Sequence, residues 1–215
     1  MVLLPGLQGS GSTLLPLARQ LAPRWTVRVY DLPGGTLASA TATLRPVLHD
    51  RPHVVAAGIA GVWACHLAEN QRASVACIGA PLGPERAPRG LRLVPLARPA
   101  LALAYRATLR RRLERDGVPP ELARAAAQAS RAPLDRLAWL RAGPEQGPCG
   151  PVLWMHGKDD PKRPVDPQVL QGWVPQASCA TVSGRHRPFA SHPHGVATVL
   201  EAFWAGVLAQ TAAPA

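Results

Sequence analysis

This 215-residue chain has few aromatic residues, few acidic residues and no long hydrophobic run. No apolar stretch reaches the roughly 18 residues of a membrane-spanning helix. Met1 is followed directly by Val-Leu-Leu-Pro-Gly, without the basic segment or the small-residue cleavage site of a signal peptide. We therefore expect no membrane span, no export signal and a cytoplasmic protein. With 47% hydrophobic and 17% charged residues, the composition is that of a globular domain with room for an inserted subdomain.

The four cysteines form no C-x-x-C pair; they are Cys65, Cys77, Cys149 and Cys179. Because disulfides are rare in proteins that are not exported, we expect free and mostly buried thiols.

Acidic residues are outnumbered, 13 against 24 basic ones, which gives a net charge of +11. Residues 82–141 hold thirteen arginines and five acids, a surplus of eight positive charges. Such a field attracts an acidic partner: a carrier protein, a nucleotide-bearing cofactor, nucleic acid or an anionic membrane surface. A solvated basic face explains the charge equally well. A nucleic-acid partner is unlikely, because no aromatic residues are interleaved with the arginines as a single-strand binder requires.

Strand and helix patterns alternate along both ends of the chain. They predict strands at 2–4, 25–30, 54–57, 74–79, 152–156 and 177–182, and helices at 13–22, 36–48, 59–70, 167–173 and 194–208. This order predicts an α/β fold with a mainly parallel sheet and helices on both faces. Residues 82–141 interrupt it with predicted helices at 100–115 and 120–131. We expect a core of 1–81 and 142–215, and a helical, arginine-rich cap of 82–141 over the carboxyl ends of the strands.

The first loop, Gly6-Leu7-Gln8-Gly9-Ser10-Gly11-Ser12-Thr13, is rich in glycine and precedes a helix. Its spacing is that of a phosphate-binding loop, but Ser12 replaces the lysine that reaches the phosphates. Nucleotide hydrolysis is therefore disfavoured. The backbone N–H groups of the loop still suit a developing anion.

The segment Ala56-Ala57-Gly58-Ile59-Ala60 joins a predicted buried strand to a predicted helix. A nucleophile elbow, G-x-S-x-G, needs small residues two before and two after its apex, and Ala56 and Ala60 meet that need. The apex, where the nucleophile stands, is Gly58. An ordinary strand–helix turn containing a glycine fits this stretch equally well.

Two later loops supply an acid and a histidine. His156-Gly157-Lys158-Asp159-Asp160 ends one predicted strand, and Gly184-Arg185-His186-Arg187-Pro188-Phe189 follows the next. The chain order of apex, acid and histidine is that of a triad in which a carboxylate orients an imidazole base.

Together these motifs resemble the α/β-hydrolase superfamily over nearly the whole chain. Leu3–Gly9 resembles its oxyanion loop, Asp31-Leu32-Pro33-Gly34 its D-x-P-G turn, and residues 156–160 its H-G-x-x-D motif. Residues 184–193 resemble G-x-H-x-P-F-x-x-H-P, which with the basic cap is similar to the carrier-protein pimeloyl methyl-ester esterase family of biotin synthesis. Two features depart from the pattern: the leading antiparallel strands are missing, and the apex serine is Gly58.

The resemblance implies roles for particular residues. Asp160 is the acid, His186 the base, and Gly58 the nucleophile position without its serine. The backbone N–H groups of Leu7 and Ile59 are the oxyanion donors. Cap arginines receive an acidic acyl carrier protein in the pimeloyl esterase family, and the positions expected to do so here are Arg106, Arg110, Arg111 and Arg112. The implied substrate is a small acyl ester or thioester, with no metal or other cofactor.

Three hypotheses follow from the missing serine. The chain is an esterase or thioesterase relative that no longer hydrolyses but still binds an acyl group or a carrier protein. Alternatively, the Asp160–His186 pair is a general base that acts without a covalent intermediate. In the third, Gly58 is an inactivating change in an ordinary serine esterase. Ser10, Ser12 and Cys65 are not expected to replace the serine, and the oligomeric state is left open.

Overall fold

A computed structural model describes residues 1–65, 67, 71–81, 94–130, 136, 139, 150–161 and 167–212. Six strands form one parallel sheet in the order β2-β1-β3-β4-β5-β6. The strands are β1 Val2–Leu4, β2 Arg28–Val29, β3 His53–Ala57, β4 Ser74–Ile78, β5 Val152–Gly157 and β6 Ala177–Val182.

Eight α-helices are described, together with 3₁₀ turns at Gly11–Leu14 and Arg45–Leu48. The helices are α1 Leu15–Leu21, α2 Leu37–Leu44, α3 Ile59–Cys65, α4 Val94–Arg115, α5 Pro120–Ala129, α6 Pro167–Trp173, α7 Pro188–Ser191 and α8 Pro193–Ala212. None of the described helices is long and apolar enough to cross a bilayer.

The sheet is buried on both faces. Successive residues of a strand point to opposite faces, so Leu4 packs in one hydrophobic cluster and Leu3 in the other. One cluster includes Trp63 of α3, and the other includes Leu17 of α1 and Trp204 of α8. The predicted parallel α/β architecture with helices on both faces is therefore confirmed.

Several predicted elements have different bounds in the structure: α4 begins at Val94 and not at residue 100, and α8 ends at Ala212 and not at residue 208. The helices predicted at 13–22 and 36–48 each begin or end in a 3₁₀ turn, because Pro16 and Pro46 donate no backbone N–H. The strand predicted at 25–30 is only two residues long, since Trp25 turns away to pack on His53 and Trp204. The helix predicted at 59–70 is described as Ile59–Cys65, and Leu67 already lies outside it. The helix predicted at 120–131 ends at Ala129, since the backbone of Ser130 is extended.

The described part of the predicted cap consists of α4, α5 and two isolated residues. Leu109 and Leu113 of α4 and Ala123 of α5 join the hydrophobic cluster that contains Leu3 and Leu14. The α4–α5 hairpin thus rests on the loop that follows β1. The division of the chain into core and cap remains a prediction.

Candidate active site

Gly58 forms the apex of a sharp turn between β3 and α3. Its φ of +53° lies in the left-handed region that glycine tolerates best. Its N–H donates to Ile78 O at 2.8 Å, which fixes the apex against the end of β4. Among the described residues, a Cβ placed on Gly58 would meet only Gly6 Cα, at 3.6 Å. A side chain at this apex therefore has room, and only the backbone conformation opposes it.

The residues around Gly58 are small because strand and helix approach closely. A Cβ on Gly61 would lie 2.6 Å from Ala80 Cβ, so nothing larger than glycine fits the first turn of α3. Ala56 and Ala60 are fully buried. The segment thus has the packing expected of a nucleophile elbow, with a glycine where the side chain would stand.

The loop after β1 lies directly beside this apex. Gly6 to Gly9 form a tight turn closed by a 2.9 Å bond from Gly9 N to Gly6 O. The N–H of Leu7, on the peptide next to Gly6 Cα, has no acceptor among the described residues. The N–H of Ile59 begins α3 and has no partner within the helix. Two backbone donors are therefore available on either side of the apex, where the sequence predicts an oxyanion hole.

Asp160 and His186 are in contact. His186 Nδ1 lies 2.8 Å from Asp160 Oδ2, in a geometry where the ring nitrogen donates to the carboxylate. The Asp160 side chain is 4% exposed and that of His186 is 19% exposed. This bond selects the tautomer with its proton on Nδ1, so that Nε2, on the opposite edge of the ring, is the basic nitrogen.

Interlocked loops hold the acid and the histidine together. Asp159 N donates to Gly184 O at 2.9 Å, and Lys158 N donates to Val182 O at 2.7 Å. A Cβ on Gly157 would lie 2.0 Å from Arg185 O, so the histidine loop packs directly on the backbone of the acid loop.

His186 reaches back across the sheet toward the elbow. A Cβ on Gly79 would lie 3.4 Å from both Cε1 and Nδ1 of the His186 ring. Gly79 directly follows Ile78, whose carbonyl accepts from Gly58 N. The imidazole thus crosses from the end of β6 to the end of β4, beside the strand whose end carries Gly58.

His156, in the same motif as Asp160, lies close to the pair. Its Nε2 is 3.1 Å from Thr181 Oγ1. Burial lowers the pKa of His156, and the nearby Asp160 carboxylate offsets part of that decrease. The net effect favours the neutral form of the ring over the imidazolium.

Neither nearby hydroxyls nor thiols stand at the elbow. Ser10 is buried, and its Oγ lies 2.9 Å from Ser12 Oγ on the loop after β1. Cys65 and Cys77 are buried and free. A hydrogen bond with Cys65 and burial raise the pKa of the Cys77 thiol, which opposes thiolate formation. Among the described residues, no group of three or more His, Cys, Asp or Glu could hold a metal ion.

The four arginines predicted to bind a partner all lie exposed on α4. Arg106 Nε donates to Ser130 O at 2.9 Å, and Arg110 Nε pairs with Glu114 at 2.7 Å. No described residue pairs with Arg111 or Arg112. These two side chains therefore present the least engaged positive charge of the set.

The α4–α5 hairpin is attached to the histidine loop. Asp116, just after α4, forms an ion pair with Arg187, the residue after His186. Gly117 packs so closely on Ser191 that a Cβ there would lie 2.4 Å from Ser191 Cβ. The described cap helices therefore meet the core beside the candidate base.

Arg136 is a site-lining residue that the sequence did not identify. It is 3% exposed, and its guanidinium donates to backbone carbonyls of the loops after β1 and β2. Its neighbours in sequence include many arginines, and nothing in the pattern separates it from them. Because every residue has a backbone carbonyl, the acceptors of Arg136 cannot be recognised from side-chain identity. The sequence therefore contains no signal that predicts these hydrogen bonds.

No protein-family model matches this sequence. No curated protein matches it. Solved structures do resemble it along most of its length. A protein of Burkholderia cenocepacia assigned as an aryl esterase has a TM-score of 0.74 at 16% identity, over 97% of this chain and 90% of that chain. The thioesterase domain from the curacin biosynthetic pathway has a TM-score of 0.70 at 16% identity, over 93% of this chain and 90% of that domain.

The enol-lactonase from Burkholderia xenovorans LB400 gives a TM-score of 0.68 at 17% identity, over 95% of this chain and 90% of that chain. Identities this low show the fold and leave the activity to be argued from the site. The parallel sheet order, the strand-end loops and these likenesses together show that the chain has the α/β-hydrolase fold.

Proposed function

We propose that this protein acts on small acyl esters or thioesters, and that its hydrolysis is impaired because Gly58 provides no nucleophilic oxygen. The observation that carries this proposal is the 2.8 Å contact between His186 Nδ1 and Asp160 Oδ2, on the same sheet edge as a glycine-tipped elbow. An imidazole oriented by a buried carboxylate is the general base of acyl-transfer enzymes. A protein that only binds an acyl group does not need that pair.

The expected impairment is large. Removing the nucleophile of such a triad costs about 10⁶ in kcat and leaves roughly 10³–10⁴ over the reaction in water, from binding and the oxyanion hole. The backbone donors at Leu7 and Ile59 do not depend on the missing side chain. Slow turnover above the background rate is therefore expected from this chain.

A second candidate is direct attack by water. The space at Gly58, next to Gly6 Cα, suits a water molecule in the place of a serine oxygen. His186 Nε2 would take a proton from that water while its oxygen forms a bond to the acyl carbon. The tetrahedral oxyanion would receive the N–H groups of Leu7 and Ile59. As the C–O or C–S bond breaks, the imidazolium would return the proton to the leaving group.

The third candidate is a binding protein for an acyl group carried by an acidic carrier protein. The exposed positions of Arg111 and Arg112 on α4 favour it, since exposed arginines attract acidic surfaces. This candidate predicts that the chain binds an acidic carrier protein and that the binding weakens as the salt concentration rises. The double variant Arg111→Glu, Arg112→Glu should abolish that binding. It predicts no change in that binding for His186→Ala.

The test compares hydrolysis by the native chain, Gly58→Ser and Gly58→Ala, each with and without His186→Ala. The substrates are p-nitrophenyl acetate and butyrate, and the butyryl thioester of N-acetylcysteamine. Gly58→Ala is the matched control, because it adds the same backbone strain without a hydroxyl.

Three outcomes separate the candidates. An impaired serine hydrolase gives weak native activity, a gain only in Gly58→Ser, and loss of that gain with His186→Ala. Direct water attack gives native turnover that already needs His186 and that neither Gly58 variant improves. No measurable hydrolysis in the native chain or in any variant contradicts both catalytic candidates.

A further inference from the structure

The guanidinium of Arg136 joins two loops at the carboxyl edge of the sheet. Its Nη1 donates to Leu7 O at 3.1 Å, in the loop after β1. Its Nε donates to Pro33 O at 3.0 Å and its Nη2 donates to Leu32 O, both in the loop after β2. Arg136 itself lies within the segment predicted as the cap, about a hundred residues further along the chain.

The turn that it contacts is shaped around the guanidinium. Gly9 has a φ of +79°, and a Cβ on it would lie 2.4 Å from Arg136 Nη2 and 2.5 Å from Cζ. Gly9 O in turn accepts from Leu32 N at 2.7 Å. The Gly6–Gly9 turn is therefore held by backbone bonds on one side and by the flat face of the guanidinium on the other.

This turn carries the candidate oxyanion donor. Gly6 Cα lies 3.6 Å from a Cβ placed on Gly58, and the Leu7 N–H belongs to the next peptide. We infer that Arg136 is a positioning residue, supplied by the cap segment, that aims the Leu7 N–H at the elbow. The inference rests on the proposed acyl chemistry. Arg136 acts through the turn, since its bonds go to the carbonyl oxygens of Leu7, Leu32 and Pro33 and not to the Leu7 N–H.

The choice of arginine follows from the acceptor geometry. Three carbonyls from two loops are bonded by three different nitrogens of one planar fork. A lysine is a single ammonium on a flexible stem and cannot reproduce that arrangement. Lysine at position 136 thus keeps the charge while loosening the turn, which makes it the informative substitution.

The experiment introduces Arg136→Lys into the Gly58→Ser protein and compares it with Trp139→Phe. Trp139 is 1% exposed, lies in the same segment and donates from Nε1 to Gly35 O at 2.9 Å. The control therefore removes one hydrogen bond between this segment and the loop after β2, and keeps all three bonds of Arg136. Urea midpoints establish first that each variant is folded, and Arg136→Gln replaces the lysine variant if that one is not.

A positioning role predicts a fall in kcat of about 10- to 100-fold in Arg136→Lys, with KM changed by less than about threefold. Trp139→Phe should keep kcat within about twofold at a similar loss of stability. A kcat within twofold in the folded Arg136 variant, or an equal fall in the Trp139 control, would overturn the inference.

A second readout does not depend on activity. Amide hydrogen exchange in the native chain and in Arg136→Lys reports the bonds from Gly9 N and Leu32 N. We expect exchange at these two amides to speed up at least about tenfold, with β3 and β4 unchanged. Unchanged exchange overturns the inference. If Gly58→Ser shows no turnover while exchange does change, the proposed function fails and the role of Arg136 in holding the turn stands.

Discussion

Replacing Gly58 with serine is expected to reduce stability slightly and raise activity greatly. The left-handed backbone at the apex costs a residue with a Cβ about 1–2 kcal/mol. Removing a glycine from the unfolded chain returns about 0.4–1 kcal/mol of that cost. Because the added Cβ meets only Gly6 Cα, at 3.6 Å among the described residues, packing contributes no further penalty.

The net effect is about 1 kcal/mol of destabilisation, or a fall in Tm of roughly 2–4 °C for a chain of this size. Gly58→Ala should lose the same stability and gain no turnover. Gly61→Ala provides the contrast, since its Cβ would lie 2.6 Å from Ala80 Cβ and overpacking costs about 1–3 kcal/mol. Urea unfolding and p-nitrophenyl butyrate hydrolysis measure the two effects on the same samples.

Two results would refute this reasoning. A loss well above 2 kcal/mol in both Gly58 variants would mean that the apex has no room for a side chain. A stable Gly58→Ser protein without any gain in turnover over Gly58→Ala, together with no His186-dependent turnover in the native chain, would mean that the apex does not face the imidazole.

Three further predictions concern other parts of the molecule. Burial lowers the pKa of His53 in the folded protein. Just below about pH 6.5 the unfolded chain therefore binds more protons than the folded one, and the free energy of unfolding falls as the pH drops. The urea concentration at half-unfolding should differ less between pH 7 and pH 5.5 in His53→Gln than in the native chain. In the Gly58→Ser protein, Asp160→Asn should lower kcat by about 10⁴ without changing the fold, because the carboxylate that holds the imidazole in its Nδ1-protonated tautomer is lost. Initial rates measure the loss of kcat, and circular dichroism checks the fold. Asp116→Ala leaves the partly buried Arg187 without its carboxylate and should cost about 2–3 kcal/mol. A loss in the double variant Asp116→Ala, Arg187→Ala equal to the sum of the losses in the two single variants would contradict a pairwise interaction.

The sequence placed Asp160 and His186 at the same edge of the sheet because each residue follows a strand, but their direct contact was visible only in the structure. The carboxyl ends of parallel strands meet at one sheet edge, so order and spacing are enough to predict that both residues lie at that edge. The same reasoning applies to Gly58 and its alanine neighbours, whose small size reflects the close approach of β3 and α3. Pro16 and Pro46 also act locally, because each stands where an α-helix and a 3₁₀ turn meet. The hydrophobic pattern nevertheless predicted one continuous helix across each of them.

Long-range contacts to the backbone were not foreseeable. Arg136 bonds to carbonyl groups, which every residue has, so its three partners leave no pattern in the sequence. The short length of β2 has a similar origin. The predicted segment 25–30 is rich in β-branched and aromatic residues, but Trp25 finds its partners in His53 and Trp204, from distant parts of the chain.

The packing of Trp25 on Trp204 has a consequence for synthesis. Their ring centroids lie 5.1 Å apart, although the two residues come from near opposite ends of the chain. During translation, the Trp25 ring therefore remains without its Trp204 partner until α8 has left the ribosome. Contacts of such long sequence separation form slowly, because a large loop must close first. Apolar surface that stays exposed for that interval favours aggregation over folding.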